Sequence, residues 1–472
     1  MNKIVFKYLG KVMMMYSFLL ILPALVSLIY NEALLVFVFP AIISFIIGYF
    51  LNRIHCKDKI LFSKDGFMIV TLSWIMISLV GALPLVLSVN GLSFVDALFE
   101  SVSGFTTTGA TIFKDVEVLD KSILFWRSFM HFIGGMGILS FVIAIAPLSR
   151  NDKSMYVLKA EMPGPSVSKL VPSIKKTLFY LYAIYIGLTL LEFILLLIGQ
   201  MPIFDSILIS FGTAGTGGFS LLNSSLATYS TFSKWVVTIF MFLFGVNFNI
   251  YFLLLIKDFK SALKSEELRV YISIYILSVL FIVINTYSMF NSMNEAILEG
   301  AFHISSLFTS TGYSIGDINI YPTSCRILVL MLMVISACAG STCGGFKISR
   351  LIIIVKSIKR DIIKSIHPNS VEIVRFEGKK VTEEIMTSTR TFMLLYAILI
   401  IIILFVVGLD GFNFEQTINA VFCTFGNVGL CFDLSNFSEF SNLSKIFLSI
   451  GMLLGRLEIF PIIALIKGFN NK

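Results

Sequence analysis

The sequence predicts an all-α polytopic membrane protein, and three observations support that prediction. Of the 472 residues, 57% are apolar and only 14% are charged, and the mean hydropathy is +0.91, far outside the usual range of soluble domains. Several apolar runs reach about 18 residues, enough to cross a hydrocarbon core as helices. A glycine- and threonine-rich stretch also recurs four times. We therefore expect four pseudo-symmetric helix–pore-loop–helix repeats around one pore, preceded by an N-terminal helix pair.

About ten transmembrane helices are expected from the positions of the apolar runs. They lie near residues 12–30, 33–52, 67–90, 123–147, 178–199, 235–256, 269–290, 327–355, 391–409 and 446–466. The first two form a retained helical hairpin, because a second apolar run follows the signal-like start at once. The corresponding units are the N-terminal hairpin 1–66 and the four pore repeats 67–150, 151–257, 258–356 and 357–472.

Lysine and arginine are unevenly distributed among the connecting segments, and this predicts the orientation. Four segments carry 23 of these residues, whereas the four alternating segments carry five. The rich segments are 53–64, 148–176, 257–269 and 350–390. By the positive-inside rule both termini are cytoplasmic. The net charge of +8 suits anionic membrane lipids as partners and gives no reason to expect nucleic acid.

The residues that usually carry metal or enzyme chemistry are scattered along the chain. Six cysteines and four histidines show no metal-ligand spacing, and the cysteines are interpreted as small buried hydrophobes. No nucleophile–base pair appears in the apolar segments. The sequence therefore predicts a protein that is not an enzyme and binds no cofactor.

The four recurring stretches align on one glycine each, at intervals of about a hundred residues. They read "SGFTTTGATI" at Gly109, "TAGTGGFS" at Gly217, "SLFTSTGYSI" at Gly312 and "TFGNVGLCF" at Gly429. A short segment with helix-start signals precedes each one. Those signals are Ser93 with Asp96, Pro202 with Asp205, Ser292 with Glu295, and Asn413 with Gln416. Each short segment is predicted to be a helix that enters the membrane and stops about halfway.

Unpaired backbone at membrane depth is costly unless it lies within protein or lines water. Four such loops converging on one axis would meet this condition, with glycine-permitted turns aiming carbonyl oxygens at a cation. The alternative is that the stretches are ordinary extracellular turns. The candidate filter residues, expected to bind potassium, are Thr106, Thr107, Thr108, Gly109, Gly215, Thr216, Gly217, Thr309, Ser310, Thr311, Gly312, Gly426, Asn427, Val428 and Gly429.

With one glycine in each of four repeats and an extra N-terminal helix pair, the chain resembles the Trk/Ktr/HKT superfamily of potassium uptake proteins, TrkH type. The resemblance implies potassium uptake across the cytoplasmic (inner) membrane of a bacterium. It also implies a homodimer on a cytoplasmic ring of nucleotide-binding regulatory subunits, the Trk-type RCK/KTN subunits. The basic loops 148–176 and 356–390 are where such a ring would dock, unless their charge serves topology alone.

The segment "ISACAGSTCGGFKISR", residues 335–350, interrupts an apolar helix with glycines that weaken it. The resemblance implies an intramembrane loop that gates the pore. The candidate gate residues are Gly340, Ser341, Thr342, Gly344, Gly345 and Lys347. Lys347 has an alternative interpretation, in which its side chain extends to the inner membrane surface.

Arg456 lies within the apolar stretch "LLGRLEIFPIIALI", and an isolated cation at that depth is a functional candidate. The resemblance implies an arginine facing the pore that forms an electrostatic barrier. The alternative is an ion pair with Glu458 or with another helix.

Other interpretations remain open at this stage. Acidic residues near the starts of the short helices enrich cations at the pore mouth or merely cap the helices; they are Asp96, Asp205, Glu295, Glu299 and Glu415. A proton- or sodium-coupled symporter needs ionisable groups at midmembrane, where the sequence offers little apart from Glu192, Lys347, Arg456 and Glu458. The channel-like subunit of an ATP-driven potassium pump is the other alternative. Because the four stretches differ in sequence, we expect weaker discrimination against sodium than in tetrameric potassium channels.

Overall fold

The computed structural model describes residues 3–55, 63–88, 91–137, 174–457, 459 and 461. Three N-terminal helices come first: α1 (Lys3–Leu19), α2 (Ile21–Ile29) and α3 (Leu35–Asn52). Helices α1 and α3 pack so closely that a Cβ built on Gly10 would lie 2.7 Å from the Gly48 carbonyl oxygen. The Ser44 hydroxyl also donates to the Met13 carbonyl at 2.8 Å. The predicted helical hairpin is therefore a tightly packed antiparallel pair.

Each of the four repeats contains a long helix, a short helix, a loop and a second helical segment. Repeat 1 contains α4 (Ser63–Gly81), α5 (Leu83–Leu87), α6 (Phe94–Phe105) and α7 (Lys121–Gly135). Repeat 2 contains α8 (Ile174–Ile198), α9 (Ile203–Gly215), α10 (Thr231–Phe244) and α11 (Phe248–Leu255).

Repeats 3 and 4 follow the same plan. Repeat 3 contains α12 (Phe259–Lys264), α13 (Glu266–Thr286), α14 (Met293–Phe308), α15 (Thr323–Val334) and α16 (Ile348–Ile366). Repeat 4 contains α17 (Glu383–Val407), α18 (Phe414–Phe425) and α19 (Asn442–Leu457). Two short ladders join β1 (Ile335–Ser336) to β2 (Phe346–Lys347) in parallel and β3 (Arg375–Phe376) to β4 (Lys379–Lys380) in antiparallel fashion. Single 3₁₀ turns lie at Tyr287–Met289, Ile318–Ile320 and Gly408–Asp410. The domain boundaries stay a prediction.

Within the described ranges, six helices are long and apolar enough to cross a membrane, or seven if a bent pair counts as one span. That pair is α10 and α11, which meet at 94°, so the continuous span expected near 235–256 is wrong. The span expected at 327–355 is also not continuous, because β1, a loop and β2 divide α15 from α16. The spans expected at 123–147 and 446–466 extend outside the described residues.

The burial pattern of the helices fits a membrane protein whose interior is formed by the short helices. In α6, every residue from Phe99 to Phe105 is buried. The long helices α8, α13 and α17 instead expose large apolar side chains, such as Leu190, Leu277 and Phe405. Exposed apolar surfaces of this kind on long helices are suited to contact with lipid. The fold is therefore an all-α polytopic membrane protein with the short helices at its centre.

The cysteines follow the sequence interpretation only in part. Cys325, Cys338 and Cys343 are buried and free, whereas Cys423 and Cys431 form a disulfide. Both members of this pair are buried as expected, but the sequence did not indicate that they pair. The turn from α18 into the following loop brings them side by side, eight positions apart in sequence. Cys56 lies outside the described residues.

Candidate functional site

The four short helices begin where their capping signals predict. The side chains of Ser93, Ser292 and Asn413 accept the amide N–H three residues later, at 3.3, 3.2 and 2.8 Å. Helix α9 begins directly after Pro202. The helices contain 12, 13, 16 and 12 residues, so at about 1.5 Å per residue they span roughly half to three quarters of a hydrocarbon core.

The loops after these helices share one backbone conformation. In each, an amide N–H donates to the carbonyl five residues earlier at 2.7 to 2.8 Å. These four donors are Thr108, Gly217, Thr311 and Val428. The residue before each donor has a positive φ of 54 to 56°, and the glycine after it has a positive φ of 73 to 87°. Four different sequences therefore form the same turn.

This pattern corrects the alignment in the second repeat. The positive-φ glycine there is Gly218, with φ of 73°, and not Gly217. Gly217 instead occupies the position of Thr108, because its amide N–H makes the matching bond to Gly212. Two adjacent glycines in "TGGF" made both registers compatible with the sequence.

The turns bring four backbone carbonyls into a closed cycle, which we call the carbonyl ring (Thr108, Gly217, Thr311 and Val428). A Cβ built on the glycine of one loop would lie 1.9 to 2.1 Å from the ring oxygen of the next loop. The four contacts run from Gly109 to Gly217, from Gly218 to Thr311, from Gly312 to Val428, and from Gly429 to Thr108. A side chain at any of these glycines would displace a carbonyl oxygen, because backbone cannot yield as a flexible side chain can.

Hydroxyl groups link positions within and between the loops. Thr106 and Thr108 share a hydrogen bond at 2.8 Å, and the equivalent pair Thr309 and Thr311 does so at 2.7 Å. In the fourth loop Asn427 replaces a hydroxyl residue, and its amide donates to the Thr108 hydroxyl at 2.9 Å. A side-chain hydrogen bond thus connects loop four to loop one, whereas the hydroxyl pair of loop three lies within that loop, and the ring is chemically asymmetric.

The interrupted helix of repeat 3 forms a loop, residues 337–345, that packs against the break between α10 and α11. At this break the carbonyls of Phe244 and Gly245 accept from the Thr342 hydroxyl at 3.4 Å and from the Cys338 amide at 3.2 Å. The Phe248 amide donates to the Gly340 carbonyl at 3.0 Å. The bend in repeat 2 thus provides the polar backbone groups that satisfy the loop of repeat 3.

Arg456 and Lys347 both bind backbone carbonyls of this region. The Arg456 guanidinium donates to the Thr342 carbonyl, and at 2.6 Å each to the carbonyls of Gly134 and Gly135 at the end of α7. Lys347 is 1% exposed and its ammonium donates to Cys343 and, at 3.0 Å, to Gly344. The interpretation of Lys347 as reaching the membrane surface is therefore wrong, because its charge is turned into the loop. Glu458 lies outside the described residues.

The loop contacts the residues that directly precede two positions of the carbonyl ring. The Gly344 amide donates to the Ser310 hydroxyl at 3.1 Å, and a Cβ built on Gly344 would lie 2.5 Å from the Asn427 side chain. A small cavity of about 40 Å³ is lined by other residues of the loop, Gly340 and Ser341, and by Arg456 among others. Different residues of the loop thus contact the filter loops and line this cavity.

Sequence reasoning missed a buried ion pair behind the first two loops. The Arg127 guanidinium donates to the Glu100 carboxylate at 2.8 Å, and both side chains are at most 2% exposed. Glu100 also accepts the Ile112 amide at 2.8 Å, and Arg127 stacks on the Phe219 ring at 4.1 Å. A carboxylate in the middle of a buried apolar helix was the signal that could have indicated it.

His131 is another residue that the sequence did not single out. It is fully buried, and its Nε2 accepts the Phe219 amide at 3.3 Å. A Cβ built on Gly217 would lie 2.1 Å from its ring. The imidazole therefore supports the second loop from behind.

Each of the acidic residues at the helix starts has a bonding partner. Lys445 donates to Asp96 at 2.6 Å, Tyr229 to Asp205 at 2.8 Å and Arg326 to Glu415 at 2.9 Å. Glu295 accepts the Asn291 amide at 3.2 Å, and Glu299 lies 3.4 Å from the His303 ring. These contacts favour the capping and structural interpretation of the five carboxylates.

Glu192 of α8 is fully buried. Neither carboxylate oxygen has a hydrogen-bond partner among the described residues, and the neighbouring Thr213 hydroxyl already donates to Ile209 at 2.9 Å. Within the same described residues, no group of three or more histidine, cysteine, aspartate or glutamate side chains is placed to hold a metal ion.

Four short helices that end in one carbonyl ring, enclosed by long apolar helices, define the class of this protein: an all-α polytopic membrane protein with four repeated helix–loop–helix segments in one chain. Known proteins agree with this description. The TrkH family model, described as "Cation transport protein", matches residues 36–470. The chain belongs to the TrkH family of cation transport proteins, which are transporters and not enzymes.

Individual relatives cover nearly the whole chain. The Trk system potassium uptake protein TrkG of Escherichia coli K12 is 32% identical over 98% of this chain and 96% of the relative. The Trk system potassium uptake protein TrkH of the same organism is 32% identical over 97% of each chain. The crystal structure of the potassium transporter TrkH from Vibrio parahaemolyticus superposes with a TM-score of 0.89 at 27% identity, covering 100% of this chain and 99% of that one.

Proposed function

We propose that this protein takes up potassium across the cytoplasmic membrane of a bacterium through a channel-like pore, with the carbonyl ring and its loops as the selectivity filter. The observation that carries the proposal is the closed cycle of contacts from Gly109 around to Thr108. The relatives named as potassium uptake proteins support the choice of ion.

Carbonyl oxygens replace the hydration shell of a weakly hydrated monovalent cation. The C-terminal ends of the four short helices add partial negative charge beside the ring. Asn427 stands where the other loops carry a threonine or serine, so the cage is not fourfold in chemistry. For this reason we expect weaker discrimination between potassium and sodium than a fully symmetric filter provides.

We further propose that residues 337–345 gate the pore and that Arg456 raises the barrier to cation passage. Gly344 of the loop contacts Ser310 and Asn427 beside the ring. The Arg456 guanidinium joins Thr342 of the loop to Gly134 and Gly135 of the opposite repeat. A positive charge on this path repels a cation. Removing it lowers the electrostatic barrier and detaches the loop from α7.

The surrounding assembly belongs to the same proposal. Both termini face the cytoplasm, in keeping with the distribution of lysine and arginine. The protein is a homodimer that binds a ring of nucleotide-binding subunits on its cytoplasmic face, at 356–390 and at 148–176. The second of these loops lies almost entirely outside the described residues.

The test is rubidium uptake into proteoliposomes under an imposed membrane potential. Wild type is expected to accumulate the ion, Gly109→Ala to lose uptake, and Arg456→Ala to show raised uptake. Gly187→Ala is the matched control, because a Cβ built at Gly187 meets no atom within 4 Å. Uptake that persists in Gly109→Ala would contradict the filter assignment.

Glu192 supports a second candidate function, proton-coupled symport. A buried carboxyl group with no hydrogen-bond partner among the described residues is suited to exchange a proton at membrane depth. Symport predicts that uptake requires a proton gradient and that Glu192→Gln abolishes the coupling. Uptake driven by voltage alone, unchanged in Glu192→Gln, would decide for the channel.

A further inference from the structure

The intramembrane loop has an acidic contact that lies outside the candidate gate residues. Glu267, in the first turn of α13, is 4% exposed. One of its carboxylate oxygens accepts the Ala339 amide at 2.7 Å, and the other lies 3.4 Å from the Asn247 side-chain amide. Ala339 directly precedes Gly340, which has a positive φ of 71°. A carboxylate of one helix therefore holds the loop at its turn.

The start of the same helix is held from the predicted cytoplasmic side by a hairpin, residues 375–380. Its strands β3 and β4 are joined by Glu377 and Gly378, both with positive φ, as in a type I′ turn. The Glu377 carboxylate accepts the Ser265 hydroxyl at 2.8 Å and the Glu267 amide at 3.0 Å. It thereby satisfies a donor that the first turn of a helix leaves open.

A second tether fixes the hairpin in this position. The Lys356 ammonium donates to the Arg375 carbonyl at 2.8 Å and forms an ion pair with Glu266. Lys356 belongs to α16, the helix into which the loop continues through β2. The hairpin thus contacts both the helix that holds the loop and the helix that leaves it.

We propose that Glu267 is the positioning residue that keeps the loop closed, and that the hairpin controls Glu267 through Glu377. The inference rests on the proposed function, since it names the route by which a soluble subunit docked on the hairpin opens the gate. When the hairpin moves, Glu377 leaves the Glu267 amide, and the first turn of α13 loses one of its two side-chain acceptors, the other being Ser265. The Glu267 carboxylate then withdraws from Ala339 and releases the loop.

Two native cysteines report directly on the loop. Cys338 and Cys343 are fully buried in it, and Cys325 is fully buried in α15 outside it. We would expose the protein in liposomes to N-ethylmaleimide and follow each cysteine by mass spectrometry. In Glu267→Ala the modification of Cys338 and Cys343 is expected to rise roughly tenfold, as loss of one charge-assisted hydrogen bond allows. Cys325 is expected to stay protected.

The matched control is Glu384→Ala. Glu384 is an exposed carboxylate in the first turn of α17, the position that Glu267 occupies in α13. Its replacement is expected to change no cysteine reactivity. Unchanged Cys338 and Cys343 in Glu267→Ala would overturn the proposal, and so would a parallel rise at Cys325, which would indicate general unfolding.

The role of the hairpin is tested by Glu377→Ala, alone and with Glu267→Ala. Because both residues act on one route, the double variant is expected to match Glu267→Ala rather than to add the two effects. Additive effects would overturn the route through Glu377. The cysteine assay needs no ion flux, so it remains informative if rubidium uptake fails. If Glu267→Ala leaves the cysteine modification unchanged while rubidium uptake is normal and depends on Gly109, only this inference is rejected and the proposed function stands.

Discussion

Gly429 of the fourth loop lies against the carbonyl oxygen of Thr108 in the first loop, so the last repeat closes the ring on the first. A Cβ at Gly429 would approach that oxygen to 2.1 Å, and the residue has a φ of 74°. Gly429→Ala is therefore expected to lose nearly all rubidium uptake, because both the contact and the backbone conformation exclude a side chain. Gly187→Ala serves as the control, and equal uptake by the two variants would contradict the ring.

The corrected register of the second loop makes a separate prediction. Gly217→Ala meets the His131 ring, a side chain that can be removed, whereas Gly218→Ala meets the Thr311 carbonyl at 2.0 Å. Adding His131→Ala is expected to restore part of the uptake lost in Gly217→Ala and none of that lost in Gly218→Ala. Rescue of both variants in the uptake assay would argue against the register.

Removing one partner of the buried ion pair between Glu100 and Arg127 is expected to destabilise the protein more than removing both. Arg127→Met leaves a carboxylate buried without its cation, which costs about 3–5 kcal/mol. We expect a clear fall in the thermal midpoint of the detergent-solubilised protein, measured by fluorescence-detected size exclusion. The double variant Glu100→Gln with Arg127→Met should be more stable than either single variant. A wild-type midpoint for Arg127→Met would show that the pair has no structural role.

The N-terminal hairpin contributes a cap to repeat 1. The two carboxylate oxygens of Glu32 accept the amides of Lys121 and Ser122 at 2.7 and 2.9 Å, at the start of α7. Glu32→Ala is expected to cost about 1 kcal/mol of stability without changing the potassium-to-sodium uptake ratio. Glu439→Ala, which removes only the exposed ion pair with Lys114, is the control. Equal thermal midpoints for the two variants would refute the cap.

Asp115 links the segments that follow the first two loops, and the link depends on pH. Hydrogen bonds from the Asn223 side chain and the Glu117 amide, at 2.8 and 2.9 Å, lower the pKa of its carboxyl group. The link is therefore fully present above the ordinary aspartate value of about 3.9 and is lost as the pH falls through the lowered pKa. In Asn223→Ala the Asp115 pKa should rise, as carboxyl carbon NMR measures. An unchanged titration would contradict the link.

Several features of the fold were predictable because they depend on neighbouring residues. The caps at Ser93, Ser292 and Asn413 are confirmed, since an N-cap is satisfied within one helical turn. The four short helices followed from the repetition of one local pattern. Arg456 and the loop at 340–345 were conspicuous as polar residues inside apolar segments, and the structure brings Arg456 and Thr342 into contact.

Other features were not accessible from local patterns. The register between Gly217 and Gly218 depended on which glycine faces the third loop. The break between α10 and α11 depended on the loop that docks there, because the carbonyls of Phe244 and Gly245 find their donors in another repeat. The contact of Glu267 with Ala339 likewise joins residues 72 positions apart.

By itself, the sequence determined the membrane environment, the four repeats and the capped short helices. The length of an apolar run and the capping signals at a helix start depend only on neighbouring residues, so both are visible in the sequence. Only the tertiary structure decided the register of the carbonyl ring, the support of the loop by the bend in repeat 2, and the partners of Arg127, Lys347 and Arg456. All of these features depend on hydrogen bonds between buried polar groups of different repeats. Such groups must be hydrogen-bonded, but the packing of the repeats decides which partner lies within reach.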